Sequence, residues 1–378
     1  MLHLTKVYAQ THLTTFGRIL ELKTNQNAQD LLVGDFNGDG MDDLATYGGT
    51  SIQFLFQNDS SIAWHGKNLN INKSIIGAVA AQCNNDRITD IVVATEDPDE
   101  LQVFLTKSQF PSQPRWKQIL EVPFEKFSVA DINNDGKVDI LLYGKRIPGI
   151  IIYTGRGDGT FKSSGTLFSD YSFNALHIND WNRDGINDIF VSHWISNEVL
   201  IFSGFGRMKF SEPARISFSS EPSFLTTTDF NTDENVDLVI GFTEDRLCEI
   251  MFGDGLGNFK QSQILQLENF PTAILTGDMN RDGKVDIGIL NETEHSYTVR
   301  LNDGDGLFHD EINFSAGKIP TRAQLFRHEK KSNYNLAILD QALSRVRLFY
   351  NTDVKNYFPS QQTYCTGLQP TNVLTFDV

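Results

Sequence analysis

Short apolar runs, each about four to eight residues, recur along the chain between clusters of Gly, Asn, Asp and Pro. Asp139-Ile-Leu-Leu-Tyr143, Gly149-Ile-Ile-Ile-Tyr153, Asp237-Leu-Val-Ile240 and Asp286-Ile-Gly-Ile-Leu290 are typical. β-Branched and aromatic side chains dominate them, as suits pleated, half-buried strands. No stretch sustains a 3.6-residue period between helix caps, so the pattern predicts an all-β protein with almost no helix.

The runs repeat in register. Asp-x-Asn-x-Asp-Gly-x-x-Asp begins at Asp35, Asp131, Asp180 and Asp278, and the copy at Asp229 has Glu234 in place of the glycine. The starts Asp131, Asp180, Asp229 and Asp278 stand 49 residues apart. The same step finds decayed copies at Gln82 and Arg327 and a partial one at Asp377. A second marker keeps phase: Phe161, Phe210, Phe259 and Phe308 each precede the next loop start by 19 residues, as Phe16 precedes Asp35. Each repeat reads as four strands. Small residues such as Ser128-Val-Ala130 precede the loop, where innermost strands would crowd an axis. Four strands repeated seven times predict a β-propeller as a single domain over residues 1–378, with seven blades. Eight blades, the last built from Leu2–Leu22 and Pro370–Val378, is the alternative. The ends are out of phase, so either they share a closing blade or the chain is a piece of a longer array.

The loops carry the clearest chemistry. Alternate Asp, Asn and Asp place three short oxygen donors inside one turn, the glycine permits the sharp bend, and the ninth residue closes the set. The seventh residue offers its backbone carbonyl. The predicted calcium ligands are Asp35, Asn37, Asp39, Met41 and Asp43; Asp131, Asn133, Asp135, Lys137 and Asp139; Asp180, Asn182, Asp184, Ile186 and Asp188; Asp229, Asn231, Asp233, Asn235 and Asp237; and Asp278, Asn280, Asp282, Lys284 and Asp286. An EF-hand would need Glu at position twelve and flanking helices. Thr46, Leu142, Val191, Ile240 and Ile289 stand there instead. Metal-free Asx turns are the competing reading; carboxylates gathered in one turn repel unless a cation neutralises them.

Charge sharpens this picture. The formal net charge of the 378 residues is −16, which argues against a nucleic-acid partner. About five calcium ions would offset much of it. Lacking an acid at position twelve, such sites should bind at about 10⁻⁴–10⁻³ M. That affinity points to an extracellular, cell-surface or periplasmic protein. No apolar run is long enough to cross a membrane, and residues 1–17 lack a signal-peptide core. Cys83, Cys248 and Cys365 form no close pair and read as separate thiols.

The loop, the Gly-Asp-Gly-x-Phe turn (Gly157–Phe161) and the period together resemble FG-GAP/VCBS-type repeats. These build the propeller of integrin α-subunit heads and of related surface proteins and lectins. The resemblance spans essentially the whole chain and implies calcium in the hairpins on one face of the disc. The implied fold serves adhesion, carbohydrate binding and some enzymes, so the resemblance alone does not decide function. The leading reading is a binding or adhesion module recognising protein or glycan rather than an enzyme, because the first strands offer mostly Ala, Gly, Thr, Val and Leu. A hydrolase or lyase with its site in the axial channel is the second reading, and His177 is the titratable group noted on the first strands. A structural spacer in a larger surface protein is the third.

Other signals weigh less. Arg156-Gly157-Asp158 spells an adhesion tripeptide, yet it falls on the conserved-period turn, which accounts for it. Asn58, Asn72, Asn291 and Asn313 begin glycosylation sequons. Trp181, at position two of a loop, is expected to point outward, as a ligand contact or packed on a neighbouring blade. The turns between second and third strands vary most, and binding residues concentrate on loops held by a rigid scaffold. They place ligand recognition on the face opposite calcium, with Arg146, His193, Trp194 and Arg246 as the contact set.

Overall fold

The computed structural model describes residues 21–350, except 26, 59–60, 107–110, 112, 268–269, 281 and 328–333. Seven four-stranded antiparallel sheets make a seven-bladed β-propeller. Blades one to six comprise residues 30–70, 75–119, 126–167, 173–217, 224–266 and 273–315. In each, the strands follow chain order from one edge to the other. Blade seven takes three strands, Pro320–Arg327, Tyr334–Asp340 and Arg345–Phe349, from the C-terminal side. Its fourth is Glu21–Lys23, which pairs antiparallel with the third. The ring therefore closes by sharing a blade between the two ends of the chain, and the eight-blade alternative does not hold. Phe16 and the partial copy at Asp377 lie outside the described residues.

Burial follows strand order. Second strands such as Asp43–Gly48 and Asp139–Tyr143 are buried at every position, because blades stack on both of their faces. These strands accordingly read as unbroken apolar runs. Outer strands such as Trp116–Ile119 expose alternate residues. The core lies between blades. Phe36, Phe54 and Ile52 of blade one, for example, pack with Ile75, Ile91 and Phe104 of blade two. The only helix among the described residues is one 3₁₀ turn, Gln341–Leu343, and no helix among them is long and apolar enough to cross a membrane.

Hairpin register sets the loop geometry. The residue before each loop pairs with the loop's ninth residue: Gly34 with Asp43, Ala130 with Asp139, Asn179 with Asp188, Thr228 with Asp237 and Gly277 with Asp286. Three of the loops are hydrogen-bonded to the turn between third and fourth strands of the next blade. Gly159 N donates to Cys83 O (2.9 Å), Arg207 N to Asn133 O (3.3 Å) and Asn302 Nδ2 to Phe230 O (2.7 Å). Both sets of turns thus share one face. The Arg156-Gly157-Asp158 tripeptide is part of this seam: Asp158 accepts from Thr160 N at 3.0 Å and from Arg115 Nη2 at 3.2 Å.

The joint between blades seven and one has its own bonds. Arg322 on the first strand of blade seven pairs with Asp30 on the first strand of blade one (Nε–Oδ1 2.8 Å), both largely buried. Arg327 N donates to Asp42 Oδ2 at 2.7 Å, and Gln57 Nε2 to Arg327 O at 2.9 Å.

Candidate functional site

Each acidic loop is an Asx turn nested in a hairpin. The first Asp accepts the backbone N–H of position six through Oδ2: from Gly40 (2.7 Å), Gly136 (2.7 Å), Gly185 (2.8 Å), Glu234 (2.8 Å) and Gly283 (3.0 Å). Position six has a left-handed backbone, with φ between 80° and 82° at its four glycines. Glu234 adopts φ 70° at the same place, a conformation that strains a residue with a Cβ. The fifth residue accepts from the seventh: Met41 N reaches Asp39 Oδ1 at 2.8 Å and Ile186 N reaches Asp184 Oδ1 at 2.8 Å.

The ninth Asp is different. Asp43, Asp139, Asp188, Asp237 and Asp286 are fully buried. Each accepts two backbone N–H groups, one from loop position two and one from the end of the third strand. For Asp237 these are Phe230 N (2.8 Å) and Gly253 N (2.9 Å). Burial raises these carboxyls, to about 8 at Asp43, about 7 at Asp286 and about 6 at Asp139, Asp188 and Asp237. The backbone donors oppose the rise, and the carboxylates at positions one and five of the same loop add to it. Repulsion within the turn is therefore a property of the folded loop.

Do these donors suit calcium? Oxygen is the only donor type on the side chains at positions one, five and nine, as a hard cation requires. Asp229 Oδ1 is buried without a hydrogen-bond partner among the described residues, which fits a ligand atom. Yet Asn37, Asn182, Asn231 (in that same loop) and Asn280 each turn Nδ2 onto the Asp two residues on, at 3.0–3.1 Å. No group of three His, Cys, Asp or Glu among the described residues is gathered closely enough to hold an ion. The donor order is present and the shell is not drawn in. At Gln82 the loop lacks its first carboxylate, and residues 328–333 of the Arg327 loop lie outside the described residues.

Position two points inward rather than outward, and of the two readings of Trp181 the one that packs it on a neighbouring blade holds. Phe36, Ile132, Trp181, Phe230 and Met279 are all buried. Trp181 packs on Phe259 of the next blade, with ring centroids 6.4 Å apart. The hairpin pairs the residue before the loop with the ninth, and the second residue's N–H is held by that ninth Asp, as Trp181 N is by Asp188 at 3.0 Å, so the second side chain turns under the loop toward the adjacent blade. Cys83 and Cys248 are buried, free thiols; Cys365 lies outside the described residues.

On the opposite face the turn between second and third strands of blade three meets its counterpart in blade four. Lys145 Nζ lies 5.2 Å from the Trp194 ring centroid and pairs with Glu221 at 2.6 Å. Asn174 Nδ2 also donates to Glu221 (2.9 Å), and Lys126 Nζ donates to Asn174 O (2.6 Å). Burial first, then the neighbouring Lys145, lowers the Lys126 ammonium to about 8. Trp194 is 36 % exposed and Ile195 70 %. His193 contacts Ser196 Oγ at 2.6 Å and the Tyr171 ring at 5.6 Å. Arg146 is held by Glu125 at 2.8 Å. Arg246 stands apart on blade five, over the Phe270 ring at 4.9 Å. Of the predicted contact set, then, His193 and Trp194 share a turn and Arg146 adjoins Lys145, while Arg246 belongs to another sector. Lys126, Lys145, Asn174 and Glu221 were not anticipated. The adjacency of Lys145 to Arg146 was the available signal; the rest are separated in sequence by whole blades.

The axis offers less. His177 on the first strand of blade four is lowered to about 4 by burial, hence neutral near pH 7. Asp30, Lys126 and Arg322 also lie on first strands, so His177 is not the sole titratable group there. Asp30 and Arg322 neutralise each other. A cavity of about 150 Å³ beside them is lined mainly by apolar residues, among them Val33, Ala78, Leu275 and Ala323.

Comparison with known proteins agrees with this architecture. Residues 131–191 match the FG-GAP-like repeat family. That segment runs from the loop of blade three through the second strand of blade four, so it includes two of the acidic loops. No curated protein matches the chain. Among solved structures, BBS1N in complex with ARL6DN is similar at 10 % identity and TM-score 0.61, over 90 % of this chain and all of that one. A protein from Lactobacillus plantarum is similar at 11 % identity and TM-score 0.61, over 91 % and 97 % of the two chains. The periplasmic gluconolactonase PpgL of Pseudomonas aeruginosa follows at 12 % identity and TM-score 0.58, over 90 % and 97 %. At such identities the likeness is one of fold.

Proposed function

We propose that this FG-GAP-repeat propeller is a calcium-stabilised binding module that recognises a protein or glycan on the face opposite its acidic loops. The observation that carries the reading is the Trp194–Lys145 pair beside exposed Ile195, an aromatic, a cation and an apolar tip set on adjoining turns of two blades. Such groups are enriched where one protein anchors another or where a ring face meets a sugar. BBS1N, of similar fold, was crystallised in complex with ARL6DN, an instance of such a scaffold with a protein partner. The axial channel favours catalysis less, since its ionic groups Asp30 and Arg322 are paired with each other. Weak calcium sites would be filled outside the cytosol, which supports an extracellular or periplasmic setting.

Calcium is tested by melting. At tenfold excess over its dissociation constant each ion adds about 1.4 kcal/mol to the native state, so several sites should raise Tm clearly in millimolar calcium and a chelator should reverse it. An identical melting curve in calcium and chelator would sink the metal. Recognition is tested separately on a glycan array in calcium: a positive signal should be lost in Trp194→Ala with Tm unchanged.

A further inference from the structure

Between blades five and six lies a polar cavity of about 190 Å³, remote from the acidic loops, with Asn291, Glu294, Arg300 and Glu311 among its lining and Leu267 and Ile289 as its apolar part. Glu294 belongs to the turn between second and third strands of blade six, so the cavity opens toward the variable face. Its polar residues form one relay across three strands. Arg300 Nη2 pairs with Glu311 Oε2 at 2.6 Å. Glu311 Oε1 accepts from Asn313 Nδ2 at 2.7 Å, which fixes that amide with its oxygen toward Thr298. The Thr298 hydroxyl gives its single proton to Asn313 Oδ1. It can then only accept from Asn291, whose Nδ2 lies 3.3 Å away. The orientation of Asn291 follows from this chain, and its Oδ1 is left as a free acceptor.

The relay therefore ends in two unmet groups. Asn291 Oδ1 and Arg300 Nε are both buried without a hydrogen-bond partner among the described residues, and Asn291 as a whole is only 9 % exposed. A buried donor and a buried acceptor left unpaired each destabilise the fold, and a ligand that satisfied both would recover that loss. The ligand must donate to Asn291 and accept from Arg300. Its charge is set by the lining: Glu294 and Glu311 against Arg300 leave one negative charge.

We infer that this cavity binds a small amino alcohol, with a primary ammonium directed to Asn291 Oδ1 and Glu294 and a neighbouring hydroxyl oxygen accepting from Arg300 Nε. The ligand's apolar part would rest on Leu267 and Ile289. A quaternary ammonium cannot donate to Asn291, and no aromatic residue lines the cavity to hold one by its ring face.

Titration calorimetry and saturation-transfer NMR on the full chain in millimolar calcium test this with three probes of like shape: leucinol, isoamylamine and isoamyl alcohol. Leucinol should bind, isoamylamine should bind about tenfold more weakly for want of the Arg300 contact, and isoamyl alcohol should give no signal. Asn291→Leu should abolish leucinol binding. Glu294→Gln, on an exposed turn that leaves the fold intact, should weaken it about fivefold, and it serves if the first variant does not fold. Absent leucinol binding would overturn the assignment and leave a cavity filled by water alone; equal binding of isoamyl alcohol, or full-strength leucinol binding by Glu294→Gln, would overturn it by showing that the ammonium contacts do not hold the ligand.

Discussion

Asp90 and Asp139 occupy the same place in neighbouring blades, and both accept two backbone N–H bonds. Asp90 takes Cys83 N at 3.1 Å and Thr106 N at 2.9 Å, and Asp139 takes Ile132 N at 3.2 Å and Gly155 N at 2.8 Å. Yet the loop of Asp90 begins with Gln82 and lacks the first carboxylate. A ninth-position Asp thus ties the loop to the end of the third strand whether or not the loop is built for a cation. Read from sequence, all five ninth-position aspartates were ligands only; a hydrogen bond to an N–H some sixteen residues away leaves no local pattern to read. The two roles separate by mutation. Asp90→Asn should remove about 1–3 kcal/mol of stability, by equal amounts in calcium and in chelator, because an amide can accept at only one of the two oxygen positions. Asp131→Asn should lose stability in calcium and little in chelator. Denaturant titration of both variants under both conditions checks this, and a calcium-dependent loss in Asp90→Asn would contradict it.

At the scale of the strand and hairpin most of the fold was legible. Period, strand count and loop register all came from Asp-x-Asn-x-Asp and the phased Phe, because each blade repeats the same local solution and errors in one copy are corrected by the others. What could not be read were side-chain pairings between strands and between blades, such as the relay ending at Asn291 within blade six or Lys145 with Glu221 across blades, whose members lie on different elements without a motif. The Arg322–Asp30 pair is of this kind. It joins first strands at opposite ends of the sequence and is nearly dry, so removing one partner leaves a buried charge. Asp30→Ala should destabilise by about 3 kcal/mol, and the Asp30→Ala/Arg322→Met double variant by less than the single. Equilibrium unfolding in a double-mutant cycle measures this; strictly additive losses would mean that the pair contributes nothing.

For the whole molecule, the sequence offered seven blades or eight, and the choice rested on where a short stretch near the start would pair. Three residues, Glu21–Lys23, decide it by lying along Arg345–Arg347. They also cover an edge of blade seven that would otherwise present free backbone groups. Their direction has a mechanical consequence. Glu21 faces Arg347 and Lys23 faces Arg345, so the chain enters and leaves this strand pair at the same end. A load applied between residues 21 and 349 would open the pair like a zipper, one hydrogen bond after another, rather than shearing all of them together. The closing blade is then the compliant link, and the six blades built wholly from consecutive strands carry the load only after it has parted. Force spectroscopy with handles at those positions should show an early, low-force release of blade seven followed by higher-force events. Joining Leu22 to Val346, which face each other, by a disulfide through Leu22→Cys and Val346→Cys should erase the first release and leave the later ones.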